Sequence, residues 1–83
     1  MELRQAIKTY IVENFLFGDA EPLTSDSMSL LDNGIIDSTG VMELVAFLEQ
    51  DFGLTIADEE LVPENLDSVE NLSMFVSRKQ AVA

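Results

Sequence analysis

The segment from Asp37 to Gly53 constrains this fold more than any other part of the chain. Val41, Leu44, Val45, Leu48 and Phe52 recur at three- and four-residue spacing, while Glu43, Glu49, Gln50 and Asp51 fall elsewhere. That period belongs to a helix with one apolar face, and a strand cannot use it. Asp37 suits the N-cap, because its carboxylate can accept from the free amides of a first turn. Gly53 supplies the stop. The spacing therefore predicts a helix over 38–52, with Ser38 at its mouth behind the turn-rich stretch Leu30-Leu31-Asp32-Asn33-Gly34-Ile35-Ile36. Gly40 is a blemish in that helix, costing up to ~1 kcal/mol relative to Ala.

Two further stripes follow the same rule. Leu3, Ile7, Tyr10, Ile11 and Phe15 predict a helix over 2–17, stopped by Gly18. Val69, Leu72, Phe75 and Val76 predict a last helix over 68–79, with Asp67 and Glu70 as a capping box and Arg78 and Lys79 at its negative end. Between the first two helices, 18–36 reads as a long loop punctuated by Pro22 and Gly34, with turn chemistry in Thr24-Ser25-Asp26-Ser27. Leu23, Leu30, Leu31, Ile35 and Ile36 can pin it to the core. Residues 54–66 offer one short acidic helix, about Asp58–Leu61, closed by Pro63. The expected architecture is all-α: a four-helix bundle of three main helices plus one short helix, with the long loop between the first two. A chain of 83 residues makes one domain, 1–83, with its core about 2–79.

Composition removes most chemistry. The chain has no Cys and no His, so disulfides, thiolate nucleophiles, imidazole acid–base catalysis and the usual zinc sites are out of reach. Ser38 has no base to activate it, and the chain is read as no enzyme. Asp58, Glu59 and Glu60 lie on a solvated stretch rather than in the dry pocket that paired carboxylates need. A calcium loop begun at Asp32 would put Gly34 and Ile36 at ligand positions, so no metal site is expected. Met28 and Met42 are read as either edge-of-core or contact residues.

The net charge is −12, and every charge between Tyr10 and Ser77 is negative. Nucleic acid and anionic membrane need a cationic surface and are poor partners, so no nucleic acid is expected; a basic protein patch is the natural partner. No apolar run approaches the ~20 residues of a membrane span, and Met1-Glu2-Leu3-Arg4 is no signal peptide. The chain is expected to be cytoplasmic.

The run Leu-Leu-Asp-x-Gly-Ile-Ile-Asp-Ser from Leu30 to Ser38 continues as Glu43-Leu44-Val45, Leu48-Glu49 and Phe52-Gly53. In this pattern the chain resembles the acyl and peptidyl carrier proteins that bear a 4′-phosphopantetheine arm. Ile56-Ala57-Asp58-Glu59-Glu60 agrees with it too. The resemblance implies that Ser38 is the attachment point, with Asp37 its neighbouring cap, and that the arm comes from coenzyme A under a phosphopantetheinyl transferase. The arm then holds an acyl or aminoacyl group as a thioester. It implies an adenylating acyl or aminoacyl ligase and a downstream acyl- or aminoacyl-transferring enzyme as further partners of a monomeric carrier. Thr39, Met42, Glu43, Glu49 and Gln50 would face those partners. Fatty-acid carriers place Leu and then Asp after the serine; here the pair is Thr39-Gly40. The pattern therefore leans to the peptidyl, D-alanyl or aminoacyl type. The alternative is an unmodified acidic helical protein-interaction module.

Overall fold

The computed structural model describes residues 3–82. The order is α1 (Leu3–Phe15), α2 (Ser38–Phe52), a 3-10 turn (Asp58–Glu60), α3 (Pro63–Leu66) and α4 (Val69–Val82), with no strand among the described residues. α4 packs against α1, α2 and α3. The stripes supply the centre of this packing: Ile7 and Ile11 from α1, Leu44 and Leu48 from α2, and Val69, Leu72 and Val76 from α4 are all fully buried. Val41 and Phe52, at the edges of the α2 stripe, are partly buried against that cluster.

α1 and α2 run antiparallel, held by aromatic rings. Tyr10 stacks on Phe47 with centroids 3.9 Å apart, Phe15 meets Tyr10 edge-on, and Phe52 meets Phe47 edge-on. The Tyr10 hydroxyl donates to the Glu43 carbonyl at 3.2 Å. Burial, then the charges of Glu43 and Asp51, push its ionisation upward, so the donor keeps its proton.

The long loop is ordered by specific bonds. Asp67 is the main anchor: its carboxylate accepts from the Ser29 hydroxyl at 2.6 Å and the Leu31 amide at 2.9 Å, and its carbonyl accepts from the Leu30 amide at 2.7 Å. Farther back, the Asp26 carboxylate pairs with Lys8 and Arg4 of α1, and its carbonyl accepts from the Glu70 amide at the start of α4. Leu30, Ile35 and Ile36 are buried as expected, and Leu23 partly so, but Leu31 is 39% exposed. Fixing the Leu31 amide on Asp67 turns its side chain outward.

Five features of the elements differ from expectation. α1 stops at Phe15, two residues early, because Phe17 (φ 54°) and Gly18 (φ 86°) both leave the helical region; Glu2 lies outside the described residues. Pro63 opens α3 instead of closing a helix, since a residue without an amide proton costs nothing at a first helical position. The acidic stretch forms only the 3-10 turn, which the Glu60 carboxylate supports by accepting from the Ala57 amide. Finally, the Asp67–Glu70 capping box does not form: Ser68 caps α4 through the Asn71 amide at 3.0 Å, which leaves the Asp67 carboxylate to the loop.

α4 also runs past Lys79 to Val82, which keeps Lys79 in its last turn and leaves Arg78 one residue before it. Arg78 donates to the Asn65 side chain, and Lys79 bonds Glu60 at 2.8 Å. The Lys79 bond first, and the Ala57 amide second, hold the Glu60 carboxyl below its ordinary range. A depressed carboxyl stabilises the fold above its unfolded pKa and loses that contribution as pH falls through the folded value. Wild type is therefore expected to melt above Lys79→Met at neutral pH. The gap should close below about pH 4, near the ordinary carboxylate value. Thermal melts of both proteins from pH 7 to 3 check this, and a gap that widens on acidification would contradict it.

Candidate functional site

Local chemistry builds the mouth of α2. Asp37 takes the extended N-cap conformation, and its Oδ1 accepts from the Gly40 amide at 2.8 Å. Its carbonyl accepts from the Val41 amide at 2.9 Å. Asp37 is therefore the fastener of the helix start, and Ser38, the first helical residue, is left exposed. Gly40 is no blemish. A Cβ there would stand 2.9 Å from Phe15 Cε1 and 3.4 Å from Ile36 Cβ, so the glycine lets the end of α1 close against the start of α2.

An apolar groove of about 330 Å³ opens beside Ser38, lined by Leu31, Val41, Met42, Leu61, Val62, Pro63 and Leu66. Its far wall is the α3 region, which lies beyond the short acidic helix expected to close at Pro63. The signal was the apolar run Leu61-Val62-Pro63, which belongs to no helical stripe. With Pro63 at a helix start and Leu66 buried beneath it, that run becomes a wall.

Thr39, Met42, Glu43 and Gln50 are exposed, with Met42 at 57%. At about 100° per residue they share one side of α2 with Glu49, opposite the buried Leu44 and Leu48. Glu49 is partly buried, and its Oε2 accepts from the Ile56 amide at 2.9 Å. Met28, by contrast, packs against the core. Asp58 and Glu59 face solvent, while Glu60 holds Lys79. Among the described residues, no three His, Cys, Asp or Glu side chains converge on a metal position.

Chemically, this arrangement offers a solvent-facing hydroxyl at a helix N-terminus, with an apolar groove on one side. The neighbouring Asp37 carboxylate is engaged in capping the helix through the Gly40 amide. A negative group on Ser38 would sit at the positive end of α2, a placement worth about 0.3–1 kcal/mol at a surface. An apolar group beyond it would have the groove wall to lie on. Those two properties fit a long arm joined through a phosphodiester, as the chain's resemblance implies.

Comparison with known proteins gives the same direction. Residues 5–76 match the family described as "Phosphopantetheine attachment site". The chain is 30% identical over 79 residues to a probable acyl carrier protein, PigG, of Serratia sp., covering 95% of this chain and 90% of that one. It is 37% identical over 78 residues to an acyl carrier protein of Petrotoga mobilis, covering 94% and 87%. A D-alanyl carrier protein of Abiotrophia defectiva is 30% identical over 54 residues, covering 65% and 68%.

Proposed function

The chain belongs to the phosphopantetheine-bearing carrier proteins, and from that premise we propose that Ser38 is the residue that carries the arm. Members of this family are carriers rather than enzymes: they hold acyl or aminoacyl groups and work with partner enzymes such as transferases and ligases. The 4′-phosphopantetheine group supplies the terminal thiol, and hence the thioester, that this Cys-free chain lacks.

The observation that carries the assignment is the exposure of Ser38 at a helix mouth that Asp37 has already capped. The hydroxyl is free to enter another protein's active site without loosening the helix. Asp37 holds the first turn in place, so Ser38 is presented at a fixed angle. Leu31, Val41, Met42 and Pro63 give the arm and a small cargo an apolar wall, while the first-turn amides of α2 favour the phosphodiester. The base and the magnesium that activate the hydroxyl belong to the transferase.

Co-expression with a phosphopantetheinyl transferase, followed by intact-mass and peptide mapping, tests the assignment. The mass of one phosphopantetheine should appear on the peptide containing Ser38. Absence of that mass, or its appearance elsewhere, would refute the reading.

Docking of the transferase and of an adenylating ligase is assigned to Thr39, Met42, Glu43 and Gln50, with Glu49 adding charge from the edge. Four Lys and Arg against sixteen Asp and Glu make a basic partner surface the complementary one. Glu43→Lys is expected to lower kcat/KM for modification about five- to tenfold at low salt, with the loss shrinking as salt screens the pair. The substitution leaves the backbone carbonyl that Tyr10 bonds, so the melting temperature should hold. Kinetics unchanged at low salt would remove Glu43 from the docking face.

Cargo follows from the same pattern. Thr39-Gly40 after the serine, the likeness to a D-alanyl carrier, and a groove of only about 330 Å³ favour an amino acid or small acid over a long fatty chain. The proposed setting is a single domain working as a monomer in the cytoplasm, where coenzyme A is at hand. Among the described residues, no helix is long and apolar enough to cross a membrane.

A further inference from the structure

Phe17 is 96% exposed, far more than any other large apolar side chain among the described residues. It is also the one non-glycine residue among them with positive φ, at 54°. Each feature costs free energy: an L side chain is disfavoured in the left-handed region, and an aromatic ring in water forfeits its burial. The turn around it is firmly bonded. The Leu16 and Gly18 amides both donate to the Val12 carbonyl, at 3.2 and 2.9 Å, and the Asp19 amide donates to the Leu16 carbonyl at 2.9 Å. With its neighbours tied back to α1, the Phe17 ring is held outward.

Its position matters as much as its exposure. α1 ends where α2 begins, since Phe15 touches the place where a Gly40 side chain would stand. Phe17 therefore projects at the same end of the bundle as Ser38, and Glu13, Asp19 and Glu21, all within four residues of it in the chain, are exposed as well. An exposed aromatic ring in an acidic stretch of chain matches an apolar pocket on a basic partner surface.

We propose that Phe17 is an anchor for the phosphopantetheinyl transferase, seated in an apolar pocket of that enzyme beside its active-site mouth. The proposal rests on Ser38 being the attachment residue. Enzymes acting on the loaded thiol share the outer face of α2 but meet the thiol at the far end of a long arm, so they need not reach across to the end of α1. The transferase must bring coenzyme A to the Ser38 oxygen itself, so its surface has to lie over the residues around α2's first turn. A rigid ring there contributes contact area at little entropic cost, which is the character of interface hot spots.

Phe17→Asn separates this role from a structural one, because Asn tolerates positive φ. Phe17→Gly serves as the second variant, and Met74→Asn, at an exposed site on α4, serves as the control. With wild-type carrier as the varied substrate, mass spectrometry follows modification of Ser38 by the transferase and coenzyme A. Phe17→Asn and Phe17→Gly are expected to lower kcat/KM about ten- to thirtyfold, as loss of a hot spot does. Their melting temperatures should match or exceed wild type, and Met74→Asn should react like wild type. Wild-type modification with unchanged kcat/KM in both Phe17 variants overturns the proposal. So does an equal loss in Met74→Asn, or a loss that tracks a lowered melting temperature. Absence of modification in wild type itself would instead strike at the Ser38 assignment.

Discussion

Ser38→Ala is expected to abolish phosphopantetheine attachment completely while leaving the melting temperature within about a degree of wild type. The two halves of this expectation come from different residues. Attachment needs the hydroxyl, for which alanine has no substitute. Stability at this point depends on Asp37, whose carboxylate and carbonyl hold the Gly40 and Val41 amides. Ser38 is exposed, and no side-chain hydrogen bond of its hydroxyl is seen among the described residues. Alanine is also the better helix former, by a few tenths of a kcal/mol. The informative competitor is Thr39, the next residue and also exposed. Modification of Ser38→Ala at Thr39 or any other hydroxyl would show that the transferase reads the neighbourhood rather than the residue. A large fall in melting temperature would show that the serine has a structural part.

Leu48→Ala is expected to show the converse pattern, with little effect on the site and a large one on the fold. Leu48 is fully buried in the centre of α2, in one cluster with Ile7, Ile11, Leu72 and Val76. Removing a leucine from such a place costs about 2–5 kcal/mol, through lost burial and the cavity left behind. At about 0.05–0.15 kcal/mol per residue, a domain of this length holds only about 4–12 kcal/mol in all. Urea titration should therefore show a markedly lower midpoint with an unchanged slope. Met42→Ala, on the exposed side of the same helix, should move the midpoint by less than about 0.5 kcal/mol equivalent. A Leu48→Ala midpoint close to wild type would mean that the stripe is not the structural centre.

The three main helices and the candidate serine were legible because they depend on neighbours in sequence. A helical period needs only residues three and four apart, and a cap needs only the three residues after it; hence α2, Asp37 and Gly53 match expectation. Phe47 was not legible as a packing residue, since it lies off the α2 stripe and finds Tyr10 only when α1 docks antiparallel. Asp67 looked like a cap because Asp-x-x-Glu is a capping pattern. Only the approach of Ser29 and Leu31, far away in the chain, claims its carboxylate and leaves Ser68 to cap α4.

Gly40 makes the same point at the site itself: as one position in a helix it is a local penalty, and against the Phe15 ring it is a fit. By itself the sequence determined where the three main helices lie, which faces of them are apolar, and that a serine stands at the mouth of the second helix. The tertiary structure alone decided that this serine opens onto a groove walled by Leu61, Val62 and Pro63, and that Phe17 projects at the same end. The physical reason is range. Hydrogen-bonded periodicity is a short-range property written along the chain, whereas a groove or a shared end exists only once distant segments are packed together.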